Sequence, residues 1–168
     1  MRPRLLQCRR QEQSGFTPGR STVDRILTLN VIAQTRREYS QPLYVAYIDL
    51  KAAFDSLNRP ALWSLLISLG IPRKIVRLFQ AMYTDTESCV RANGQLSDSF
   101  AVVSGVRQGC VLAPDAFNTG MDWVLGRATH RSMCGTAIGA DAFSDLDYAD
   151  DVAELLDLTT FDTGDLRS

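Results

Sequence analysis

Three aspartates are the residues in this sequence best suited to chemistry. Asp49 directly follows a short apolar run, and Asp150 and Asp151 are adjacent near the end of the chain. Carboxylates that lie close together repel one another and raise one another's pKa. Bound cations would be needed to offset this repulsion. Two Mg²⁺ ions could then activate a hydroxyl and stabilise an in-line phosphoryl transfer. The spacing does not show that Asp49 meets the pair, and an Asp-Asp pair is also common in simple turns.

A second candidate is the loop from Ser104 to Pro114. Its two glycines, Gly105 and Gly109, would let backbone approach a ligand closely. Gln108 offers both a donor and an acceptor, and Arg107 could contact phosphate. The same glycines also suit a plain loop that leads into a helix. Both interpretations stay open.

The aromatic residues and cysteines have simpler expected roles. Phe54 lies five residues after Asp49, and packing statistics favour a place in the core. Trp63 and Trp123 fall on predicted helices and are also expected in the core. Cys110 is expected to pack rather than to react, because no histidine partners it in the sequence.

Local signals along the chain predict the elements that must position these residues. In the first half of the chain they are a loop over Gln13–Arg20, a helix capped by Ser21 or Thr22 and running to about Tyr39, a buried strand Leu43–Ile48, and a helix Ala61–Leu69 after a cap at Asn58-Arg59-Pro60. They continue with a helix opened by Pro72, a hairpin around Asn93-Gly94, a helix from Pro114 to about Thr129, and two strands within Leu146–Leu156. The order predicts an α+β fold in which helices cover one face of a mostly antiparallel sheet.

Composition narrows the class of protein. The 168 residues are 45% hydrophobic and 22% charged, which is typical of a globular domain and excludes collagen-like or wholly disordered chains. The longest apolar run is far shorter than the roughly 20 residues of a membrane span, and the basic start lacks the apolar core of a secretory signal. Four scattered cysteines and one histidine disfavour a zinc site or a disulfide framework. The cysteine pattern indicates a reducing compartment. We expect an intracellular protein of the nucleus, the cytoplasm or both, without a membrane partner.

The net charge of −1 hides an uneven distribution. Residues 1–40 carry eight arginines and three acidic residues, whereas residues 141–168 carry nine acidic residues and one arginine. A basic front could follow a phosphate backbone, and an acidic end could hold cations. A solvated surface with an acidic tail explains the same pattern.

Four segments together resemble the reverse transcriptases of LINE-type retrotransposons, which lack long terminal repeats. They are Gln13–Thr22, similar to the fingers segment of that class, Tyr47–Asp55, similar to polymerase motif A, Gly105–Pro114, similar to motif B, and Asp145–Asp151, similar to motif C. The order and separation of the four segments match the family, and the resemblance covers roughly residues 11–156.

The resemblance implies a role for each candidate residue. Asp49 and Asp150 would be the main metal ligands, with Asp151 beside them, and the Leu50 carbonyl would join the metal shell. The remaining implied roles are Phe54 as a steric gate under the incoming sugar, Gln108 and Gly109 as the lining of the nucleotide and template pocket, and Arg20 and Arg107 as contacts to nucleic acid. The metal would be Mg²⁺, with Mn²⁺ as a substitute. The partners would be an RNA template, a dNTP and a DNA primer whose 3′ hydroxyl attacks the α-phosphate.

The resemblance also implies a domain organisation. We expect a single truncated reverse transcriptase domain, with partial fingers over residues 1–42, a palm over 43–156, a divergent tail over 157–168, and no thumb. Such a truncation leaves an alternative open, in which the chain is a catalytically inactive retrotransposon remnant that at most binds RNA through its basic first forty residues. A cyclase-type palm would explain the carboxylates but neither the fingers segment nor the Gln108 loop.

Overall fold

Helices alternate with short antiparallel strands in the computed structural model, which describes residues 1–131, 135–138 and 141–156. The helices are α1 (Arg2–Cys8), α2 (Thr22–Glu38), α3 (Ala53–Ser56), α4 (Arg59–Ser68), α5 (Arg73–Ala81) and α6 (Ala113–Arg131). The strands are β1 (Tyr44–Ile48), β2 (Glu87–Ser88), β3 (Arg91–Ala92), β4 (Gln95–Leu96), β5 (Phe100–Ala101), β6 (Thr136–Ile138), β7 (Asp141–Phe143), β8 (Asp145–Tyr148) and β9 (Asp151–Leu156). This mixture confirms the α+β class. None of the helices in these residues is both long enough and apolar enough to cross a bilayer.

The contacts divide the chain into two compact units. The first unit comprises Met1–Cys8 and Ala52–Gly120, and the second comprises Arg9–Lys51 and the described residues from Met121 onward. The residues of the predicted tail, 157–168, lie outside the described residues.

The first unit is built on helices α4 and α5. Asn58 caps α4, since its side-chain oxygen accepts a hydrogen bond of 2.9 Å from the Ala61 N–H, as the sequence predicts. Trp63 packs edge-on against Phe79 at 5.1 Å between ring centroids but is only half-buried, so it lies at the margin of the core rather than inside it. The predicted hairpin is present as two short ribbons, β2 with β5 and β3 with β4, around the Asn93-Gly94 turn.

The second unit is built on a three-stranded antiparallel sheet of order β1-β9-β8. Helix α2 begins at a capping box, in which the Ser21 hydroxyl and the Asp24 carboxylate each accept a hydrogen bond from the other's backbone N–H. Ile32 of α2 is buried with Leu146 and Leu155 of the sheet. This small cluster fixes α2 against one face of the sheet.

Two sequence expectations about burial were wrong, one for strand β1 and one for Trp123. Strand β1 is not buried: Tyr47 is 75% exposed, because β1 is an outer strand of the sheet. The apolar side of α2 is buried only in part, since the narrow sheet covers Ile32 but leaves residues such as Ile26 and Leu27 about 60% exposed. Trp123 is about half exposed, with the Arg127 guanidinium 4.4 Å from its ring centroid.

Candidate active site

The strand register brings the three aspartates to one end of the sheet. In the antiparallel pair of β1 and β9, Ile48 lies opposite Val152. Asp49 directly follows the end of β1, and Asp151 is the first residue of β9, so both lie at the same end of this strand pair. Asp150 precedes Asp151 in the turn that joins β8 to β9. The sequence separation of about one hundred residues is therefore closed by a single strand pair.

The donor set at this end of the sheet suits a hard cation. Asp49 and Asp151 are exposed and Asp150 is half-buried, so their carboxylate oxygens are accessible from solvent. Within the described residues, no three His, Cys, Asp or Glu side chains are already gathered closely enough to form a metal cluster. Mg²⁺ commonly binds through one or two carboxylates and takes its other ligands from water and substrate phosphates. The aspartates therefore fit Mg²⁺ by ligand type.

A cavity of about 330 Å³ adjoins these aspartates within the second unit. Asp49 and Asp151 line one side of it, and Arg25 of helix α2 contributes positive charge. Burial and the nearby charge of Arg20 lower the pKa of Arg25. The rest of the lining is mainly apolar and comes from α2 and the sheet, which includes Ile26, Leu29, Tyr47, Ile48, Leu146, Val152 and Ala153.

The turn before Asp150 is held by the segment around Gln13. The Gln13 side-chain oxygen accepts hydrogen bonds from the N–H groups of Ala149 (2.8 Å) and Gly15 (2.7 Å), and its amide nitrogen donates to the Ala149 carbonyl (3.1 Å). The Ser14 N–H donates to the Asp147 carbonyl at 2.9 Å, so the segment lies parallel to β8. Sequence reasoning placed Gln13 in a loop and gave it no separate role.

A buried charge cluster anchors the same segment. The Arg10 guanidinium lies 2.5 Å from the Asp145 carboxylate and 3.2 Å from that of Asp147, and both aspartates are fully buried. Burial, together with the neighbouring charge of Asp145, raises the pKa of Asp147 to about 8. Burial also raises the pKa of Asp122, on α6, to about 6. Asp147 therefore keeps at neutral pH a proton that an exposed aspartate would have lost.

In the first unit, the structure joins Phe54 to the loop that begins at Gly105. The Gly105 N–H donates to the Leu57 carbonyl and the Val106 N–H to the Phe54 carbonyl, both at 2.8 Å. The Phe54 ring stacks on Phe117 at 4.2 Å between centroids, nearly parallel, and is half-buried. Phe54 thus has core contacts on one side and remains partly accessible.

Arg107 and Gln108 line a separate open cavity of about 700 Å³ in this unit. The Arg107 N–H donates to the Tyr83 hydroxyl at 3.3 Å, and its guanidinium lies 5.9 Å from the Tyr83 ring centroid. Gln108 and Gly109 are exposed. Gln108 is therefore accessible to solvent, whereas Arg107 is held against Tyr83.

Several arginines of the basic first forty residues bind partners within the protein. Arg10 binds two aspartates, Arg25 donates to the Gln11 carbonyl at 2.8 Å, and Arg36 is buried against Gln41. Arg20 is exposed, and its contact to nucleic acid stays a prediction. The first forty residues are thus a structural framework as much as a charged surface.

Residues 2–157 match the family model described as reverse transcriptase (RNA-dependent DNA polymerase). This match covers most of the chain, and the chain belongs to the reverse transcriptase family. Its relatives also agree with the predicted resemblance to elements without long terminal repeats. The chain is 29% identical over 140 residues to the Pol polyprotein of the retrotransposable element R2DM of Drosophila melanogaster, and 27% identical over 146 residues to that of an R2 element of Popillia japonica.

These matches cover 83% and 86% of this chain but only 13% and 20% of the relatives, so the chain spans a small part of their length. Among solved structures, an apo telomerase of Candida tropicalis, truncated from its C-terminal domain, aligns with 93% of this chain and 32% of its own. The TM-score is 0.62 at 17% sequence identity. At that identity the likeness establishes the shared fold.

Proposed function

We propose that this chain carries the catalytic palm of an RNA-directed DNA polymerase. The reaction would transfer a deoxynucleotide from a dNTP to the 3′ hydroxyl of a DNA primer on an RNA template. The observation that supports the proposal is the β1–β9 register, in which Asp49 follows the end of β1 at the same end of the sheet as Asp150 and Asp151, in a chain of the reverse transcriptase family.

The proposed metal is Mg²⁺, with Mn²⁺ able to replace it. Asp49 and Asp150 would hold it, with Asp151 and the Leu50 carbonyl nearby. Bound there, Mg²⁺ would lower the pKa of the primer hydroxyl and neutralise charge on the triphosphate. The sheet contributes rigidity, because carboxylates at strand ends need little reorganisation as the substrate binds.

The role proposed for Phe54 is nucleotide selection. Phe54 is fixed by its stack on Phe117 and still half accessible, so it could contact the sugar of the incoming nucleotide. A bulky ring under the sugar would exclude a 2′ hydroxyl. We therefore expect Phe54→Val to admit ribonucleotides more readily than the parent sequence, measured as the ratio of dNTP to rNTP incorporation.

The test of the metal site is Asp150→Asn, with Asp98→Asn as a control of equal charge change at an exposed position. Primer extension on an RNA template would be measured with Mg²⁺ and with Mn²⁺, and Mn²⁺ binding by electron paramagnetic resonance. We expect Asp150→Asn to reduce primer extension and Mn²⁺ binding to background. Asp98→Asn should change neither primer extension nor Mn²⁺ binding. Undiminished extension by the Asp150→Asn chain would refute the assignment.

The inactive remnant is the alternative outcome of the same experiment. It predicts RNA binding without extension, unaffected by Mg²⁺ and falling steeply as salt rises. The engagement of Arg10, Arg25 and Arg36 inside the fold argues against it, because these guanidinium groups already have protein partners.

A further inference from the structure

We propose that Gln13 is a positioning residue for the catalytic turn. Its buried carboxamide holds Ala149 in a left-handed conformation and so sets the direction in which Asp150 leaves the turn. The inference rests on the proposed function, since orientation matters only if Asp150 binds the metal.

The carboxamide is fully committed to the turn. Gln13 is 2% exposed, its oxygen accepts from the Ala149 N–H, and its amide nitrogen donates to the Ala149 carbonyl. One side chain therefore binds both backbone groups of one residue. The orientation of the amide is fixed as well, because a backbone N–H can only donate and must therefore face the Gln13 oxygen.

Ala149 needs such a constraint. Its φ is +60°, in the left-handed region that residues with a Cβ avoid. Conformations of this kind persist where the surroundings over-determine them, and they gather at functional sites. Asp150 follows directly, so a change in the Ala149 backbone would rotate the Asp150 carboxylate with it.

Gly15 closes the turn from the same segment. A Cβ placed on Gly15 would lie 2.2 Å from the Ala149 nitrogen, so no side chain can be accommodated there without movement. The Gly15 N–H also donates to the Gln13 oxygen, which keeps the carboxamide in place. The pattern Gln-Ser-Gly is therefore explained by backbone contact with the turn.

An isosteric change separates positioning from packing. Gln13→Glu keeps the size of the side chain but, when ionised, sets a carboxylate oxygen against the Ala149 carbonyl. When protonated, its O–H can donate to that carbonyl and restore the pattern. The stability gap between the Gln13→Glu chain and the parent should therefore shrink as pH falls from 9 to 5. Gln13→Leu introduces no titratable group, so its stability gap to the parent should stay constant over the same range and serves as the reference.

The experiment uses the chain without and with Mn²⁺. Amide hydrogen exchange in the metal-free chain reports whether Gln13 holds the turn, and we expect exchange at Ala149 to accelerate by about tenfold or more in Gln13→Leu and in Gln13→Glu at pH 8. Mn²⁺ affinity should fall by about tenfold or more, as for other groups that orient metal ligands. Gln34→Leu, at an exposed site on α2, is the matched control and should change neither quantity.

The outcomes separate the two proposals. Unchanged exchange at Ala149 in both Gln13 variants would refute the clamp. Accelerated exchange with unchanged Mn²⁺ affinity would refute the positioning role. A parent chain that binds no Mn²⁺ through Asp150 would refute the metal site, and the positioning role with it, while the exchange result would still show whether Gln13 holds the turn.

Discussion

Among the glycines of the first unit, Gly105 is the one at which an added methyl group should lower the stability of the fold most. An added Cβ would lie 2.5 Å from the Asp55 Cα and 2.7 Å from the carbonyl oxygens of Phe54 and Asp55. All of these atoms are backbone, so none can swing aside. The φ of +76° adds a second cost, because it lies in the region that favours glycine.

The two costs can be estimated separately. The left-handed backbone costs an alanine about 1–2 kcal/mol, and overpacking costs about 1–3 kcal/mol. Gly94 is the matched control: its φ is +79°, but an added Cβ would meet nothing within 4 Å. Gly94→Ala should therefore carry only the first cost, and the gain from restricting the unfolded chain is common to both variants.

The assay is thermal unfolding of the whole chain, followed by fluorescence of Trp63 in a Trp123→Phe background. A change of 1 kcal/mol shifts Tm by roughly 2–4 °C in a chain of this size. We expect Gly105→Ala to lower Tm by roughly 4–20 °C and Gly94→Ala by roughly 2–8 °C, with the Gly105→Ala shift the larger of the two. Equal shifts in the two variants would show that the close approach of Gly105 to helix α3 does not exist.

Two further predictions concern buried charge. The pKa of Asp147 in the folded chain lies above its unfolded value, so its contribution to stability is present below about pH 4 and is lost as pH rises through about 8. Urea unfolding between pH 5 and 8 should show this decline, at most about 1.4 kcal/mol per pH unit for one proton, and Asp147→Asn should flatten it; an equally steep decline in that variant would contradict the assignment. Arg59 donates to the carbonyls of Gly105, Tyr83 and Val102 while buried. Arg59→Lys, which cannot form the same fork, should lower the free energy of unfolding by about 2 kcal/mol, whereas Arg73→Lys at an exposed site should have no measurable effect.

Local structure was predictable from the sequence where one residue decides it. Ser21 and Asn58 cap helices because their side chains accept from backbone within the same turn, and Asn93-Gly94 turns because both residues tolerate a positive φ. These signals span three or four residues and do not depend on the rest of the chain.

Burial was less predictable, because it depends on how wide the neighbouring element is. An apolar run such as Leu43–Ile48 indicates a strand but does not show whether one or two strands flank it. The outer position of β1 leaves Tyr47 in solvent, where the run alone suggested a buried strand.

The sequence motifs were enough to name the residues of the candidate site. They did not predict the contacts that hold the turn next to those residues. The motifs identify Asp49, Asp150 and Asp151 as candidates, and their proposed roles as metal ligands await the experiment above. The link from Gln13 to Ala149 joins residues 136 positions apart, and it depends on a backbone angle that no local pattern specifies. Contacts of this kind become visible only when the chain is folded.

The central strand of the sheet, β9, is also the last described element of the chain. Strands β1 and β8 do not pair with each other, so β9 is the strand that joins them into one sheet. During synthesis, β1 would leave the ribosome about one hundred residues before β9. Until β9 is available, the edge of β1 that pairs with it would have no partner. Closing so long a loop is slow and leaves the strand open to wrong partners in the meantime. The aspartates would therefore be assembled late in folding, by the last strand to leave the ribosome among those described.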